Sequence, residues 1–274
     1  MNYKDILVYI DDGASNVERI NTAFNMAKST EARITAVTPA ALVPEHLKVK
    51  DPTAVANLSE KAAQERLEAF SAQAEAAGLE FGKHLIRAGE DATVKKIAQF
   101  ARNFDLVIMR QSNPKRRNVD LVEKMAESIL LYSGRPVFFM PYIGAHHVPF
   151  KKAMIAWDGS PTANRAIHDV LPLLEQVPEV MLLVITGKSK TARGELLVDT
   201  MASHLQRHGV NASVYRQSAG TFDVPTLILN EIAENGVDLL VMGGYGTPSL
   251  QQKIFGGVTR TLLSSMIVPV VMSH

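Results

Sequence analysis

An internal repeat is the feature that most restricts how this chain can fold. Residues 4–13 form an apolar run that ends in acidic residues and a glycine, and residues 152–160 repeat this pattern after the midpoint. Each run precedes a segment with apolar residues at helical spacing, namely Ile20, Ala23, Phe24 and Ala27 in the first half and Ala166, Ile167, Val170 and Leu171 in the second. The repeat predicts two copies of one structural unit.

The ends of the two copies correspond as well. The spacing from Met109, at the end of one apolar run, to Pro136 equals the spacing from Met242 to Pro269. The last segments of the two halves therefore align without a gap. Agreement at both ends of both halves supports a duplication that covers the whole chain.

Strand-like and helical segments alternate through each half. The first, second and fourth predicted strands are mostly continuous apolar runs, as is typical of parallel strands covered by helices on both faces. The pattern predicts an α/β fold with two doubly wound parallel sheets in tandem. We place the domains at residues 1–142 and 150–274. Residues 39–54 are predicted to form a surface loop before a helix at residues 59–77.

Glycines follow the fourth strand of the second half. Gly243 and Gly246 come directly after it, and Gly256 and Gly257 open the last predicted helix. Ligands of such sheets bind beyond the carboxyl ends of the strands, where the strand order reverses. Glycines let the backbone approach a bulky anion, and a helix N-terminus favours phosphate. Spacing alone leaves two interpretations open, a phosphate-binding loop and a tight turn followed by a helix cap.

The pattern Gly243-x-x-Gly246, nine residues and Gly256, between an apolar strand and a helix, resembles the nucleotide loop of the universal stress protein family. Asp158 matches that family's acidic position beside adenine, and residues 269–272 match its closing strand. The resemblance covers nearly the whole chain as two copies. It implies two Rossmann-like, adenine-nucleotide-binding domains in tandem.

Site residues follow from this resemblance position by position. It implies that the Asp158 carboxylate and the Ile185 backbone lie near adenine and ribose. The implied ligand is ATP or AMP, with Mg²⁺ as a companion of ATP. The residues implied to hold the nucleotide are Asp158, Ile185, Met242, Gly243, Gly246, Gly256, Gly257, Val258 and Thr259.

One position departs from the family pattern. The family usually has Ser or Thr directly after the glycine of the second block, and this chain has Gly257 there. The missing hydroxyl removes a phosphate hydrogen bond worth about 1 kcal/mol or more. Thr259, two residues further on, is a candidate to replace it. The departure argues against tight triphosphate binding and leaves the expectation of adenosine nucleotide binding.

The first half lacks the glycine pattern. Arg110 corresponds to Gly243, and Glu123 corresponds to Gly256. A glutamate at a helix N-terminus would repel phosphate, and larger side chains would fill the space that glycines leave open. Asp11 remains, as a residue at a strand end. We predict no ordinary nucleotide site in the first half.

Other charged and metal-type residues have simpler explanations. Lys115, Arg116 and Arg117 form a basic run that would suit an anion, but three charges are few and a solvated loop is the expectation. His204 and His208 have the i, i+4 spacing of a metal-binding pair. Without an acidic third ligand nearby, we interpret them as surface residues of a helix and predict no metal site.

Composition excludes several classes of function. The chain has no cysteine, so disulfides and thiolate nucleophiles are excluded. Its net charge is +1, whereas a general nucleic-acid binder is strongly basic, so no nucleic acid partner is expected. The N-terminus lacks the pattern of a signal peptide, and no apolar run approaches the roughly 20 residues that cross a bilayer. We expect a cytoplasmic protein without a membrane partner.

The resemblance implies a stress-response regulatory protein that binds its nucleotide in the C-terminal domain with little or no turnover. The sequence contains neither a Walker phosphate loop nor a nucleophile elbow. Two alternatives stay open: a weak ATPase or nucleotidyl-transfer enzyme, and an interaction scaffold with a non-nucleotide ligand or none. The resemblance also implies that the closing strands pair across the domains, so that the chain is an intramolecular pseudo-dimer. A homodimer of chains is a further expectation.

Overall fold

The chain divides into two compact units, Asn2–Ala145 and His146–His274. The computed structural model describes residues 2–44, 47–142, 148–186, 192–245 and 257–274, with the backbone alone at residues 192–194 and 196. The predicted domain limits remain a proposal, because the residues between the units lie outside the described part.

Within the described residues, the N-terminal unit has five parallel strands with helices between them. Its elements are β1 (Asp5–Tyr9), α1 (Asn16–Thr30), β2 (Arg33–Pro39), α2 (Pro52–Ala76), β3 (Phe81–Ile86), α3 (Glu90–Ala101), β4 (Leu106–Arg110), α4 (Val119–Tyr132) and β5 (Val137–Met140). The strands lie in the order β3-β2-β1-β4-β5, and each neighbouring pair is parallel. The chain therefore leaves β1 first toward one side and then toward the other, which defines a doubly wound sheet.

The described part of the C-terminal unit repeats this arrangement. Its elements are β6 (Lys152–Ala156), α5 (Pro161–Asp169), α6 (Leu171–Leu174), β7 (Glu179–Thr186), α7 (Ala192–Arg207), β8 (Ala212–Ser218), α8 (Val224–Asn235), β9 (Leu239–Gly243), α9 (Gly257–Ser265) and β10 (Val270–Ser273). The order is β10-β9-β6-β7-β8, again with parallel pairs. The helix predicted from Ala166, Ile167, Val170 and Leu171 is divided, because α5 ends at Asp169 and the short helix α6 begins at Leu171.

Strand register confirms the predicted fold class and the repeat. Ile6 of β1 pairs with Leu106 of β4, and Ala153 of β6 pairs with Leu239 of β9. The sequence alignment of the two halves matches Ile6 with Ala153 and Leu106 with Leu239, so the two strand pairs are equivalent. The two sheets are therefore copies at the level of single residues.

Apolar patterning explains why these segments form strands and helices. Strand β9 is buried from Leu239 to Met242, as expected for a parallel strand covered on both faces. The predicted helical stripe of α1 is buried at Ile20, Ala23, Phe24 and Ala27. No helix in the described ranges is long and apolar enough to cross a membrane.

Helix α2 begins earlier than predicted. The Asp51 carboxylate accepts a hydrogen bond from the Ala54 amide at 2.7 Å, and Pro52 occupies the first helical position. A capping residue followed by proline is a helix start signal, because proline lacks the amide hydrogen that a first turn leaves unpaired. The predicted loop over residues 39–54 was wrong at its end, since the helix already includes Pro52–Ala54.

Candidate functional site

Several predicted site residues of the C-terminal unit reach one edge of its sheet. Strand β6 lies between β9 and β7, so the direction of the chain changes at β6. Ala156 and Met242 pair near the ends of β6 and β9. Asp158 and Gly243 therefore lie where these strands give way to loops, and Ile185 lies near the end of the neighbouring strand β7.

The loop after β6 is ordered by its own hydrogen bonds. The Asp158 carboxylate accepts from the Ser160 amide at 2.9 Å, and Gly159 between them has φ = 69°, a conformation that favours glycine. The Ser160 hydroxyl accepts from the Ala163 amide at 3.1 Å and caps α5, with Pro161 at the first helical position. Asp158 is exposed and held at the start of α5.

The backbone of Ile185 faces the same edge. The Trp157 amide donates to the Leu183 carbonyl at 2.9 Å, which joins β7 to the first residue after β6. Backbone groups of a strand alternate in direction, so Ile185 points its amide and carbonyl to the same side as Leu183. Strand β6 ends at Ala156, which pairs with Leu183, so it does not extend as far as Ile185. The Ile185 side chain is 6% exposed, so this strand end offers backbone rather than side-chain groups to a ligand.

Gly243 packs directly against helix α5. A Cβ atom at this position would lie 2.5 Å from the Ala163 amide nitrogen and 2.6 Å from the Thr162 hydroxyl oxygen. Real Cβ atoms do not approach a backbone that closely, so the packing of β9 on α5 already requires glycine here. Close packing on α5 therefore accounts for this glycine without a ligand.

The beginning of α9 is tied back to the end of β9. The Tyr245 amide donates to the Thr259 hydroxyl oxygen at 3.2 Å, and Thr259 is buried. The Thr259 hydroxyl keeps its proton as a donor, because a hydroxyl accepts through oxygen lone pairs. Gly257 is the first residue of α9, is exposed, and would present a Cβ to open space. A side chain is thus tolerated at Gly257 but not at Gly243.

The predicted site residues fall into three groups. Asp158, Ile185, Met242 and Gly243 lie at the ends of β6, β7 and β9, Gly257, Val258 and Thr259 form the first turn of α9, and Gly246 and Gly256 lie outside the described residues. The described members therefore come from two places, the strand ends and the start of α9, which the Tyr245–Thr259 hydrogen bond connects.

The equivalent edge of the N-terminal unit contains a buried ion cluster. Asp11 bonds to Arg19, with 2.9 Å between Oδ1 and Nη2, and its other oxygen pairs with Arg110. Arg19 also donates to the Tyr9 carbonyl at 2.6 Å and to the Asn16 side-chain oxygen at 2.7 Å. The exposed fractions of Asp11, Arg19 and Arg110 are 3%, 0% and 5%. The cluster is closed to solvent.

The side chains of this cluster shift one another's pKa values. Burial alone would raise the pKa of Asp11, but the guanidinium groups of Arg19 and Arg110 outweigh it and lower the pKa to about 2. Burial acts to lower the pKa of Arg110, and the neighbouring Asp11 carboxylate reverses this and raises it. Burial, followed by the charge of Asp11, raises the pKa of Tyr9. At neutral pH Asp11 is an anion between two cations.

Arg110 takes the position that corresponds to Gly243, and Asp11 takes that of Asp158. In the N-terminal unit the arginine side chain crosses to the aspartate, so the space above the strand ends is filled from within. In the C-terminal unit Asp158 is exposed, and Gly243 has no side chain to reach it. This difference supports the prediction that the first half lacks an ordinary nucleotide site.

The predicted role of Glu123 was wrong. Helix α4 begins at Val119, so Glu123 lies in its second turn and not at its N-terminus. Its carboxylate accepts a hydrogen bond from the Ser112 hydroxyl at 2.8 Å. The error arose because α4 starts earlier than its counterpart α9, a difference that the gapless alignment does not show.

The basic run after β4 is less free than expected. Arg116 donates to the Asp12 carbonyl at 3.2 Å, and Arg117 donates to the Pro44 and Leu47 carbonyls at 3.2 and 3.0 Å. The loop is nevertheless solvated as expected, because Lys115 and Arg117 are exposed and Arg116 is partly exposed. The two arginines also tie it to neighbouring segments of the N-terminal unit.

An open pocket of about 600 Å³ lies beside the loop after β6, and sequence analysis missed most of its residues. It is bounded by that loop and by helices α5 and α7. Its lining includes Trp157, Ser160, Asn164, His168, Met201 and His204. These residues come from segments far apart in the chain, and the only sequence signal was the helical spacing of His204 and His208.

The protein is of the tandem α/β class, with two doubly wound units. The second unit has an open sheet edge where the strand order reverses, which is where such folds bind ligands. No curated protein matches the sequence significantly. The model of the universal stress protein family matches residues 149–274. These residues belong to the universal stress protein family, and the resemblance inferred from the sequence is confirmed.

Solved structures extend the likeness in fold to the whole chain. A universal stress protein from Archaeoglobus fulgidus DSM 4304 has a TM-score of 0.74 at 18% identity, covering 98% of this chain and 95% of that one. A protein from Pseudomonas aeruginosa UCBPP-PA14 assigned to the same family has a TM-score of 0.61 at 14% identity, covering 99% and 93%. At such identities the comparison shows the tandem fold alone.

Proposed function

We propose that the C-terminal unit binds an adenine nucleotide, ATP or AMP, and that the protein acts as a stress-response regulator. The observation that carries this proposal is the arrangement at the sheet edge. An exposed carboxylate, outward backbone groups and the start of a helix stand together where the strand order reverses, which is where doubly wound sheets bind ligands.

Each part of the edge suits one part of the nucleotide. Asp158 is exposed and held by the Ser160 amide, so it can accept hydrogen bonds from ribose or adenine. Ile185 presents its backbone amide and carbonyl for the polar edge of the base. The first turn of α9 offers its amides and the positive end of the helix dipole to phosphate, with Mg²⁺ accompanying ATP.

Turnover is proposed to be slow or absent. Phosphoryl transfer needs carboxylates that hold metal and a base that positions the nucleophile. Asp158 already accepts the Ser160 amide and stands at the side assigned to adenine and ribose. Binding would instead change the interactions of the protein with its partners.

Trp157 gives a direct test, because it is the only tryptophan and adjoins Asp158. ATP, ADP, AMP and adenosine should be titrated against its fluorescence, with and without Mg²⁺. We expect saturable changes with the nucleotides. Calorimetry on the same samples measures affinity independently of the fluorophore.

Matched substitutions at Gly257 test the phosphate side, since a Cβ there meets open space and folding is spared. Gly257→Glu should weaken ATP binding at least about tenfold, because the carboxylate repels phosphate at the helix N-terminus. The affinity for adenosine should stay unchanged. Gly257→Ser should restore a hydroxyl and raise the affinity for ATP by about tenfold, which is the equivalent of one hydrogen bond to a charged group, about 1.5 kcal/mol.

Three outcomes would contradict parts of the proposal. Absence of binding for every nucleotide in both assays would remove it. Release of phosphate from ATP and Mg²⁺, abolished in Gly257→Glu, would favour the weak ATPase. A non-nucleotide molecule that copurifies with the chain would favour the interaction scaffold.

Assembly and location are also proposals. We infer from the family resemblance that β5 and β10 pair to make an intramolecular pseudo-dimer, that chains can dimerise further, and that the protein is cytoplasmic. Light scattering of the purified chain gives the number of chains per particle. Cell fractionation with an antibody to the chain tests the location.

A further inference from the structure

Two histidines from different helices meet at the wall of the pocket beside the loop after β6. His168 lies at the end of α5 and His204 lies in α7. Their Nε2 atoms are 3.1 Å apart. Both side chains line the pocket, which also contacts Trp157. The pair is independent of the nucleotide edge, because neither histidine belongs to the strand ends or to α9.

The tautomer of His168 follows from its other ring nitrogen. Nδ1 of His168 lies 2.8 Å from the Asn164 carbonyl oxygen. A carbonyl accepts only, so Nδ1 carries the proton and donates it. In the neutral ring, Nε2 of His168 is then an unprotonated nitrogen directed at His204. A backbone carbonyl that orients the distal nitrogen is the support that metal-binding histidines commonly have.

The separation of the two nitrogens suits a shared metal ion. Zn²⁺ binds imidazole nitrogen at roughly 2.0–2.1 Å, which at a tetrahedral angle places two ligand nitrogens about 3.3–3.4 Å apart. The square arrangement favoured by Cu²⁺ and Ni²⁺ would bring them to about 2.9 Å at similar bond lengths. The separation of 3.1 Å lies between these values. Little movement of the rings would therefore be needed.

We propose that His168 and His204 bind one divalent transition-metal ion of the Zn²⁺, Ni²⁺ or Cu²⁺ class at the pocket wall. Imidazole nitrogen is a preferred ligand for these ions and a poor one for Mg²⁺ or Ca²⁺. Within the described residues no group of three or more metal-type side chains gathers around one point. The ion is therefore held by two protein ligands, and its other positions are open to water or to a small molecule in the pocket.

His208 offers a rival arrangement. It follows His204 by one helical turn, and the two rings pack with centroids 4.6 Å apart. A metal held by His204 and His208 would use α7 alone, whereas the proposed site links α5 to α7. A simple hydrogen bond from His204 to His168, with no metal affinity, is the other rival.

The probe is Ni²⁺ alone, in nucleotide-free buffer, titrated against the fluorescence of Trp157. A paramagnetic ion at the pocket wall quenches a nearby indole, and Zn²⁺, which does not quench in this way, should compete and restore the signal. We expect saturation at one Ni²⁺ per chain. Because no nucleotide is present, failure of this experiment leaves the nucleotide proposal untouched.

Single substitutions separate the arrangements. His168→Gln and His204→Gln should each lower the affinity for Ni²⁺ by tenfold or more. His208→Gln should change that affinity less than threefold. His84→Gln is the control, since His84 lies in β3 of the other unit. Circular dichroism checks folding, which is expected to persist because His168 is exposed and His204 is only partly buried.

Two results would overturn the proposal. Loss of binding in His204→Gln and His208→Gln but not in His168→Gln would assign the ion to α7 alone. Wild-type protein without saturable quenching or calorimetric heat for Ni²⁺ and Zn²⁺ would leave the pair as a hydrogen bond. Imidazole ¹⁵N spectra of the metal-free protein should also show His168 protonated at Nδ1, with a change at Nε2 when Zn²⁺ is added.

Discussion

Arg110 and Gly243 separate two sheet edges that are otherwise alike. Both units carry an aspartate after the central strand, and both aspartates accept a backbone amide two residues later, at 3.0 Å in Asp11 and 2.9 Å in Asp158. The arginine draws Asp11 into a buried cluster with Arg19. Without an arginine opposite it, Asp158 stays exposed. Very few side chains therefore decide whether the sheet edge is open to a ligand or occupied by buried side chains.

Replacement of Asp11 by Asn should destabilise the protein strongly. The substitution preserves shape but leaves Arg19 and Arg110 buried without an anion, and breaking a buried pair in this way costs about 3–5 kcal/mol. Urea unfolding followed by circular dichroism measures the loss. Asp12→Asn is the matched control, because Asp12 pairs with Arg116 at a partly exposed position and should cost less than about 1 kcal/mol. Equal losses in the two variants would refute a special role for the cluster.

Stability should depend on the charge of Asp11 in acid. The folded-state pKa of Asp11, about 2, is below its ordinary value of 3.8, so its contribution is complete above pH 4 and is lost as the pH falls toward 2. Linkage over this interval amounts to about 2 kcal/mol. The difference in unfolding free energy between the wild type and Asp11→Asn should therefore shrink by about 2 kcal/mol between pH 5 and pH 2. A constant difference between them across this range would contradict the assignment.

At the scale of secondary structure, three helix starts carry a local signal in the sequence, although the start of α2 was predicted too late. Asp51-Pro52, Ser160-Pro161 and Asp223 with Pro225 each join a side-chain cap to an early proline, and each begins a helix. The signal works because it satisfies amides of the first turn within a few residues of sequence. Helix α4 lacks such a cap, and the position assigned to Glu123 was wrong there.

Gly243→Ala should weaken the junction of β9 with α5. Its Cβ would meet the Ala163 amide nitrogen at 2.5 Å, and a backbone atom cannot move aside as a flexible side chain does. Overpacking of this kind costs about 1–3 kcal/mol. Urea unfolding monitored by Trp157 reports on this unit. Gly257→Ala provides the comparison, since its Cβ meets open space and the unfolding free energy should stay within about 0.5 kcal/mol.

At the scale of the whole molecule, duplication has produced two units with one fold and different edges. The N-terminal unit repeats strand order and register but fills its edge with Asp11, Arg19 and Arg110. A duplicated fold therefore does not imply duplicated binding, because the fold is set by apolar patterning and the site by a few side chains at strand ends.

This asymmetry predicts one nucleotide per chain. Calorimetric titration of the wild type with ATP should give a stoichiometry near one, and Gly257→Glu should reduce ATP binding without revealing a second site. A stoichiometry near two would show that the N-terminal edge binds as well. Asp12→Asn, which alters a surface charge of the N-terminal unit, should leave the stoichiometry unchanged.

Much of this protein was determined by local sequence. Continuous apolar runs, helical stripes and the spacing of Met109–Pro136 and Met242–Pro269 predicted the two α/β sheets, because strand and helix preferences act over short distances. The same patterns located the edge that carries Asp158 and the glycines.

Only the tertiary structure decided what the individual side chains do. It assigned Gly243 to packing against α5, joined Asp11 to Arg19 and Arg110, and brought His168 to within 3.1 Å of His204. Apart from the pair of Asp11 and Arg19, these contacts link residues far apart in the chain. Their formation depends on how helices lie on a sheet, and no local preference in the sequence encodes that distance.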